Sequence, residues 1–266
     1  MPRQKPLGRL LRSNPLTARV LTEIRVHQLQ RSGTQGDFAF CRQYATRGSL
    51  AVDVGANVGN WAMGLSKAVG RRGRVVALEP NPAAYRELKF STWGCNISIH
   101  RVAASDEPGD AVLQIPLDRR GAEEGQLASL EPRKSAHSSH RILVRRVRLD
   151  DLLGSSVLPV SIIKVDVEGH ELAVLRGAQQ ILAHHRPVLV IEIEERHLVN
   201  SSIEDVVGWI NDRGYECHAI KGRTLLPWQD FDIVRDQRQY LEKLRRGDSI
   251  SPPVAYVNNF LFLPLA

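Results

Sequence analysis

A glycine-containing loop follows the first strongly apolar stretch of the chain, and its residue types suit the binding of a charged nucleoside. The apolar segment SLAVDV covers residues 49–54 and carries one carboxylate, Asp53. Gly55, Asn57 and Gly59 follow it before a helical pattern begins. Glycine permits a sharp turn and a close approach of the backbone to a ligand, and the first N–H groups of a helix are free to bind it. Together these residues form a candidate cofactor loop.

A second carboxylate lies at the spacing expected for such a site. The apolar segment RVVALEPN contains Glu79, 20 residues beyond Gly59. In doubly wound α/β folds, an acid after the second strand hydrogen-bonds the ribose of a bound nucleoside. A dinucleotide loop has the pattern G-x-G-x-x-G because a pyrophosphate lies on its glycine backbone, whereas Asn57 stands here at the second glycine position. With Asp53 before the loop, the pattern favours S-adenosylmethionine, which has a cationic amino-acid portion, over NAD.

The segment SIIKVDVEGHELAVLRGA, residues 161–178, carries the other dense group of polar residues. Asp166 ends its apolar stretch, and Glu168 and His170 precede a helical pattern. Glu168 and Glu171 also suit the positive end of a helix dipole, which is a purely structural role. A lone buried carboxylate is costly, so Asp166 is harder to explain by structure alone.

The elements that position these residues alternate along the chain, which predicts an α/β fold with a doubly wound parallel sheet. Continuous apolar runs such as VLVIEI are typical of strands covered on both faces. The predicted strands are Leu50–Val54, Arg74–Leu78, Ile97–Val102, Ile162–Val165, Val188–Ile193 and Asn259–Leu263. The predicted helices are Gly59–Val69, Pro82–Trp93, Glu171–His184 and Ile203–Arg213.

Two regions depart from this alternation. Residues 106–150 contain DAVLQIP and RILVRRVRLD, which predict an antiparallel insertion around a polar loop at 123–140 that we expect to be mobile. Residues 1–48 predict a basic tail followed by a helix over 16–31 and a short helix from Phe38 to Tyr44. The remaining residues, 49–266, form the predicted main domain.

Composition excludes several classes of protein. The chain has 266 residues, of which 42% are hydrophobic and 24% charged, as in an ordinary globular protein. It has no run of 18 uncharged apolar residues, so we expect no membrane span. Its three cysteines, Cys41, Cys95 and Cys217, lie far apart and predict buried, reduced thiols in a cytoplasmic protein.

The net charge of +7 is concentrated in one region. Residues 1–50 hold nine Lys or Arg and two acids, whereas the rest of the chain is neutral. The basic arm is typical of a solvated extension, and it could also make weak contact with an anionic surface. A neutral body does not favour a specific nucleic-acid partner. The oligomeric state stays open.

Seven motifs in order carry a resemblance to a known family. They are AVDVGANVGNW, ALEPNP, RVAASDEPGDAVL, RRVRLDDLL, IIKVDVEGHELAVLRGA, VLVIEIEE and NNFLFLP. Over roughly residues 49–264 the chain resembles the FkbM family of S-adenosylmethionine-dependent methyltransferases. The resemblance implies a Rossmann-like class I methyltransferase sheet of order 3-2-1-4-5-7-6 with the last strand antiparallel. It also implies O-methylation of a hydroxyl on a sugar, glycan or natural product.

The resemblance also implies roles for individual residues. Glu79 matches the ribose-binding acid, and Asp166 matches the acid that ends strand four, close to the methionine portion and the acceptor. Ala104 and Ser105 match the end of strand three, beside the adenine. The cofactor loop is matched by Asp53, Gly55, Asn57 and Gly59.

Several alternatives stay open. Removal of a hydroxyl proton needs a base, and Asp166, Glu168, His170 and Glu192 are the candidates. A divalent-metal site can be drawn from Asp166, Glu192 and His197, but the spacing alone does not support it and none is predicted. The rival functions are an NAD(P)-binding Rossmann oxidoreductase, a binding module that uses the basic arm, and a methyltransferase-like fold without catalysis. The expected acceptor is a small-molecule or glycan hydroxyl.

Overall fold

Strands and helices alternate through the computed structural model, which describes residues 16–17, 19–24, 36–118, 121–131, 138–154, 156–199, 201–241 and 256–266. The strands are β1 (Leu50–Val54), β2 (Arg74–Leu78), β3 (Ile97–His100), β4 (Ala103–Ala104), β5 (Gly109–Pro116), β6 (Ser139–Val147), β7 (Val160–Val165), β8 (Val188–Glu192), β9 (Tyr215–Lys221), β10 (Thr224–Pro227) and β11 (Asn259–Pro264). The main helices are α1 (Gly36–Tyr44), α2 (Asn60–Val69), α3 (Pro82–Ser91), α4 (Leu149–Leu153), α5 (Glu171–Arg176), α6 (Gln179–His185) and α7 (Ile203–Asn211).

Eight strands form one sheet in the order β10-β9-β11-β8-β7-β1-β2-β3. Its central strands are parallel, and β11 pairs antiparallel with both β8 and β9. Counted without the three-stranded second sheet and without the edge strand β10, this is the predicted order 3-2-1-4-5-7-6 with the last strand antiparallel, so that prediction is confirmed. The edge strand β10 is an addition that the sequence pattern does not predict.

Apolar side chains cover both faces of the sheet. Ala51 and Ile162 belong to a layer that also contains residues of α1, α2 and α3. Val52 and Ile163, their neighbours in sequence, belong to the opposite layer with residues of α5, α6 and α7. Because successive strand side chains point to opposite faces, a strand buried on both sides needs an unbroken apolar run.

The predicted helix Glu171–His184 is two helices, α5 and α6. Between them, the Gly177 carbonyl accepts a hydrogen bond from the Asp150 N–H at 2.9 Å. The Asp150 carboxylate accepts hydrogen bonds from the N–H groups of Gln180 and Ile181, both at 3.1 Å. An acid from outside the segment thus satisfies the free donors of a second helix start, which explains the break.

The insertion is antiparallel, as predicted. Strands β5 and β6 pair antiparallel along their length, and β4 joins β6 to complete a three-stranded sheet. Within the polar loop, Ser129 forms an isolated bridge with Gln114 of β5. Residues 132–137 lie outside the described residues, and the expected mobility of the loop stays a prediction.

The N-terminal region is described in part. Residues 16–17 and 19–24 are helical, in agreement with the start of the predicted helix, and α1 confirms the second one. Residues 1–15 and 25–35 lie outside the described residues. The Arg19 guanidinium donates a hydrogen bond to the Trp93 carbonyl at 2.9 Å, which fastens the first helix near the end of α3.

All three cysteines are free thiols. Cys41 and Cys217 are buried, as predicted, and Cys95 is partly buried. Within the described ranges, no helix is long and apolar enough to cross a bilayer.

Candidate active site

A cleft opens where the carboxyl ends of β1, β2 and β7 meet. Strands β4 and β5 form part of its wall, and residues 125–130 of the insertion close one side. The site residues that the structure brings together along this cleft are Gly55, Asn57, Glu79, Ala104, Asp166, Glu168 and His170. Four other predicted site residues lie near the cleft without lining it: Asp53, Gly59, Ser105 and Glu192.

Two glycines shape the loop after β1. Gly55 has a φ of 80°, and a Cβ at this position would lie 1.8 Å from the Asp166 carbonyl oxygen. The loops after β1 and β7 therefore approach each other closely, which only glycine allows. Gly59 has a φ of 95° and precedes α2, and its Cβ would lie 2.8 Å from Leu88 of α3. The absence of a side chain at Gly59 therefore lets the start of α2 pack closely against α3.

Both oxygens of Glu79 are held by the backbone. One accepts the N–H of Asn57 and the other the N–H of Asn81, each at 2.8 Å. Burial raises the pKa of Glu79 to about 7, while these two N–H groups oppose the rise. A carboxylate oxygen can accept more than one hydrogen bond, so Glu79 retains acceptor capacity on the cleft side.

Asp53 lies beneath the cleft and does not line it, which corrects its expected place among the groups facing a ligand. It is part of β1 and only 1% exposed, because the last residues of a central strand are covered by helices. Burial raises its pKa to about 7, opposed by the charge of Lys164. Its Oδ2 atom has no hydrogen-bond partner among the described residues.

The resemblance implies that Ala104 and Ser105 end strand three, but in the structure they do not. Strand β3 ends at His100, and Ala104 lies in β4, because the chain leaves the main sheet there and pairs with β6. Ala104 lines the cleft. Ser105 is fully buried, and its hydroxyl lies 3.0 Å from Nε2 of His170.

Asp166 follows β7 and Glu192 ends the neighbouring parallel strand β8, and each carboxyl group affects the pKa of the other. Burial raises the pKa of Asp166 and raises that of Glu192 well above its ordinary value. The Glu192 Oε1 atom also accepts a hydrogen bond from the Asn258 amide at 2.8 Å. Two carboxyl groups in contact cannot both ionise easily, so the pair suits a shared proton.

Glu168 is held by a side-chain contact with a histidine. Its Oε2 atom lies 2.5 Å from Nδ1 of His197, and both side chains are largely buried. Its φ of 57° is unusual for a residue with a side chain and costs free energy. Strained backbone of this kind clusters at functional sites, so the conformation agrees with a functional role for the loop after β7.

His170 is held at both ring nitrogens. Its Nδ1 lies 2.7 Å from a Glu131 oxygen, while Nε2 faces the Ser105 hydroxyl. The Ser129 hydroxyl donates a hydrogen bond to the Glu168 carbonyl at 2.7 Å. The insertion is thus fastened to the loop after β7 at two points, and His170 is one of the fastening groups.

Three parts of the site are not predicted from the sequence. Lys164 is buried beside the carboxylates, and its signal is a lysine inside an otherwise apolar strand. His197 pairs with Glu168, and residues 125–130 reach the cleft through tertiary contacts that leave no local pattern. Across the described ranges, no three carboxylate, imidazole or thiol groups are placed to hold a metal ion.

The residues present fit a nucleoside with a cationic tail. Glu79 supplies acceptors for ribose hydroxyls, and Leu78, Val102 and Leu113 supply apolar walls for a base. Asp166 supplies a second carboxyl group in the same cleft. This donor set agrees with the S-adenosylmethionine that the sequence predicts.

The sheet order and the position of the cleft define a Rossmann-like class I methyltransferase fold. Residues 53–217 match the family model described as the methyltransferase FkbM domain. Because the match covers more than half of the chain, the chain belongs to this family.

The named relatives share only limited sequence identity with this chain. Methyltransferase 1 of Beauveria bassiana is 28% identical over 155 residues, in a match that covers 48% of this chain and 58% of that protein. Hexuronic acid methyltransferase AglP of Haloferax volcanii is 28% identical over 166 residues, or 59% of this chain and 62% of that protein. The chain therefore spans about three fifths of the length of these curated relatives. The crystal structure of an FkbM methyltransferase from Methylobacillus flagellatus aligns with a TM-score of 0.47 and 18% identity, covering 80% of this chain and 43% of that one.

Proposed function

We propose that this chain is an S-adenosylmethionine-dependent O-methyltransferase whose acceptor is a hydroxyl of a sugar, a glycan or a natural product. The observation that carries the proposal is the fixed carboxylate of Glu79, which faces the cleft from the end of β2. Both of its oxygens are oriented by backbone N–H groups, as binding of two adjacent ribose hydroxyls requires. Membership in the FkbM family supports the same function.

The cofactor roles divide between the cleft wall and the layer beneath it. Gly55 and Asn57 provide backbone in contact with the cofactor, and Glu79 binds the ribose. Ala104 lies beside the adenine. Asp53, Gly59 and Ser105 act indirectly: they position β1, α2 and His170, and none of them lines the cleft.

Proton transfer falls to the Asp166–Glu192 pair. S-adenosylmethionine supplies a methyl group on a cationic sulfur. The acceptor oxygen forms a bond to the methyl carbon while the carbon–sulfur bond breaks and its electron pair stays on sulfur. The hydroxyl proton passes to the carboxylate of the pair and then to water, with Asp166 as the base that faces the cleft. Glu168 and His170 are bound to His197 and Glu131, so we assign them to positioning.

The acceptor is recognised outside the cofactor residues. The insertion lines the cleft beside the loop after β7, so its residues 125–130 are placed to contact an acceptor. The similarity to a protein named hexuronic acid methyltransferase supports a carbohydrate acceptor. The basic arm is proposed to give weak contact with an anionic surface, and a cytoplasmic location stays a prediction.

Binding measurements test the proposal against its rivals. Calorimetry on the full chain should give saturable binding of S-adenosylmethionine and of S-adenosylhomocysteine, with weak or no binding of NAD and NADP. Incubation with methyl-labelled S-adenosylmethionine and a cell metabolite extract, followed by mass spectrometry, should then reveal a methylated hydroxyl. Preferential binding of NAD would establish the oxidoreductase alternative. Binding of S-adenosylmethionine without any labelled product would support the fold without catalysis.

A further inference from the structure

A group of polar side chains lies on one face of the sheet, just below the cleft. Asp53 of β1 pairs in register with Lys164 of β7, so the two side chains lie side by side. One row nearer the cleft, Glu192 of β8 pairs in register with Asn259 of β11. The layer of α1 and α2 covers this face, since it contains the alternate strand residues Ala51, Ile162, Val190 and Leu261.

Lys164 is the buried cation of this group. Its side chain is among the largest that are fully buried, with 1% of the residue exposed. The ammonium donates a hydrogen bond to the Val165 carbonyl at 3.1 Å and to the Asn259 side-chain oxygen at 3.3 Å. It also lies 5.5 Å from the centre of the Trp61 ring, within range of a cation–π interaction.

A buried ammonium is costly unless nearby groups compensate it, and here carboxyl groups do so. Burial raises the pKa of Asp53, Asp166 and Glu192, and the charge of Lys164 opposes the rise at all three. If the lysine were absent, burial would favour the neutral form of each carboxyl group. A neutral pair cannot accept the proton of an acceptor hydroxyl.

Other charged groups face the same pair from the neighbouring elements. Arg196 is hydrogen-bonded to Glu194, and the His197 ring contacts Glu168, so both side chains are engaged by the outer carboxylates. Lys164 lies on the same sheet face as Glu192 and two residues before Asp166 in the chain. The groups that act on Asp166, Glu192 or their neighbours are Asp53, Glu79, Glu168, Glu194, Arg196, His197 and Tyr256.

We propose that Lys164 is a positioning residue for proton transfer: its buried ammonium is the counter-charge that keeps the Asp166–Glu192 pair singly ionised and able to accept the acceptor proton. The inference rests on the proposed methyltransferase function for the identity of that proton. The charge relationship itself can be measured in the ligand-free chain. Lys164 acts through the pair and has no contact with the cleft.

The test is a carbon NMR titration of the full chain with labelled Asp, Glu and Lys. In the wild type, the Lys164 side chain should stay charged at pH 7. Lys164→Met should move the ionisation midpoint of the Asp166–Glu192 pair upward by about one to three pH units, the usual effect of one close opposite charge. Lys164→Arg keeps the charge, so its midpoint should lie close to the wild-type value. Lys67→Met is the matched control, since it removes the same charge from an exposed position on α2.

Each result bears on the proposal. A neutral Lys164 in the wild type at pH 7 would overturn it, and this measurement needs no variant to fold. An unchanged midpoint in a folded Lys164→Met protein would overturn it as well. Calorimetry with S-adenosylmethionine is run beside the titration, so that absence of cofactor binding counts against the methyltransferase function and not against the role of Lys164.

Discussion

The Glu79 carboxylate accepts the backbone N–H of Asn57 at 2.8 Å, which joins the acid after β2 to the loop after β1. Asn57 has a φ of 47°, a left-handed conformation that Asn tolerates better than most residues with side chains. The contact means that Glu79, the proposed ribose-binding acid, and the loop after β1 hold each other in place. Loss of the carboxylate therefore affects both.

Glu79→Ala should weaken binding of S-adenosylmethionine. Each hydrogen bond to a charged group contributes about 1.5–3 kcal/mol, so loss of one predicts roughly a tenfold to hundredfold rise in Kd. Glu79→Gln keeps one acceptor oxygen, so its affinity should fall between that of the wild type and that of Glu79→Ala. Calorimetry measures the affinity, and circular dichroism checks the fold. Glu107→Ala, at an exposed position, is the control, and equal affinity in folded Glu79→Ala would remove Glu79 from the cofactor site.

Asp166→Ala should reduce turnover far more than it reduces cofactor affinity. Removal of a well-placed base costs about 10²–10⁴ in rate. The comparison is kcat on the identified acceptor against the Kd for S-adenosylhomocysteine. Glu192→Gln should lower turnover as well, because it removes the partner that shares the proton. Turnover near the wild-type rate in Asp166→Ala would transfer the role of base to another group, with Glu192 and His170 next in order.

Glu171→Gln should make the protein more stable at alkaline pH. Glu171 is 2% exposed, and burial raises its pKa from 4.5 to about 8. Between those values the folded state keeps a proton that the unfolded state has lost, so stability falls as pH rises toward 8. Glutamine has no proton to lose, and its carbonyl can still accept the Gly169 N–H, which Glu171 accepts at 2.8 Å.

Urea unfolding at about pH 5 and about pH 8.5 measures this effect. From about pH 5 to about pH 8.5, the free energy of unfolding of the variant should rise by about 1–3 kcal/mol relative to that of the wild type. This is the range for an unsatisfied buried polar group. Asp53 and Glu79 change stability in the same direction in both proteins, so only the difference between them reports on Glu171. An equal pH dependence in the two proteins would contradict the raised pKa.

Removal of residues 1–14 should leave the affinity for S-adenosylmethionine unchanged. The segment carries Arg3, Lys5, Arg9 and Arg12, with no acid, and its apolar residues show no period that would tie it to a core. Turnover on the acceptor should be followed across a salt series in both proteins. A turnover difference that vanishes at high salt indicates electrostatic positioning of an acceptor or surface. A large loss of cofactor affinity would instead mean that the arm contacts the site.

The sequence by itself determined six of the eight strands of the main sheet and the candidate cofactor residues beside them. Continuous apolar runs require a sheet covered on both faces, and the motifs around Asp53, Glu79 and Asp166 are local, so their order and spacing are visible in one dimension. The antiparallel insertion was also predictable, because two strand-like stretches flank a polar loop. Strand β10 and the break between α5 and α6 were not predictable in this way. The break depends on Asp150, which lies far away in sequence from the free donors that it binds.

Only the tertiary structure decided which polar residues meet. Glu168 with His197, His170 with Glu131, and Lys164 with Asn259 are each separated by long stretches of chain, so no local pattern couples them. The structure also placed Asp53 beneath the cleft and moved Ala104 and Ser105 out of strand three. Burial and the charge of neighbouring groups set the ionisation of these side chains, and both depend on contacts that form only when the strands are side by side.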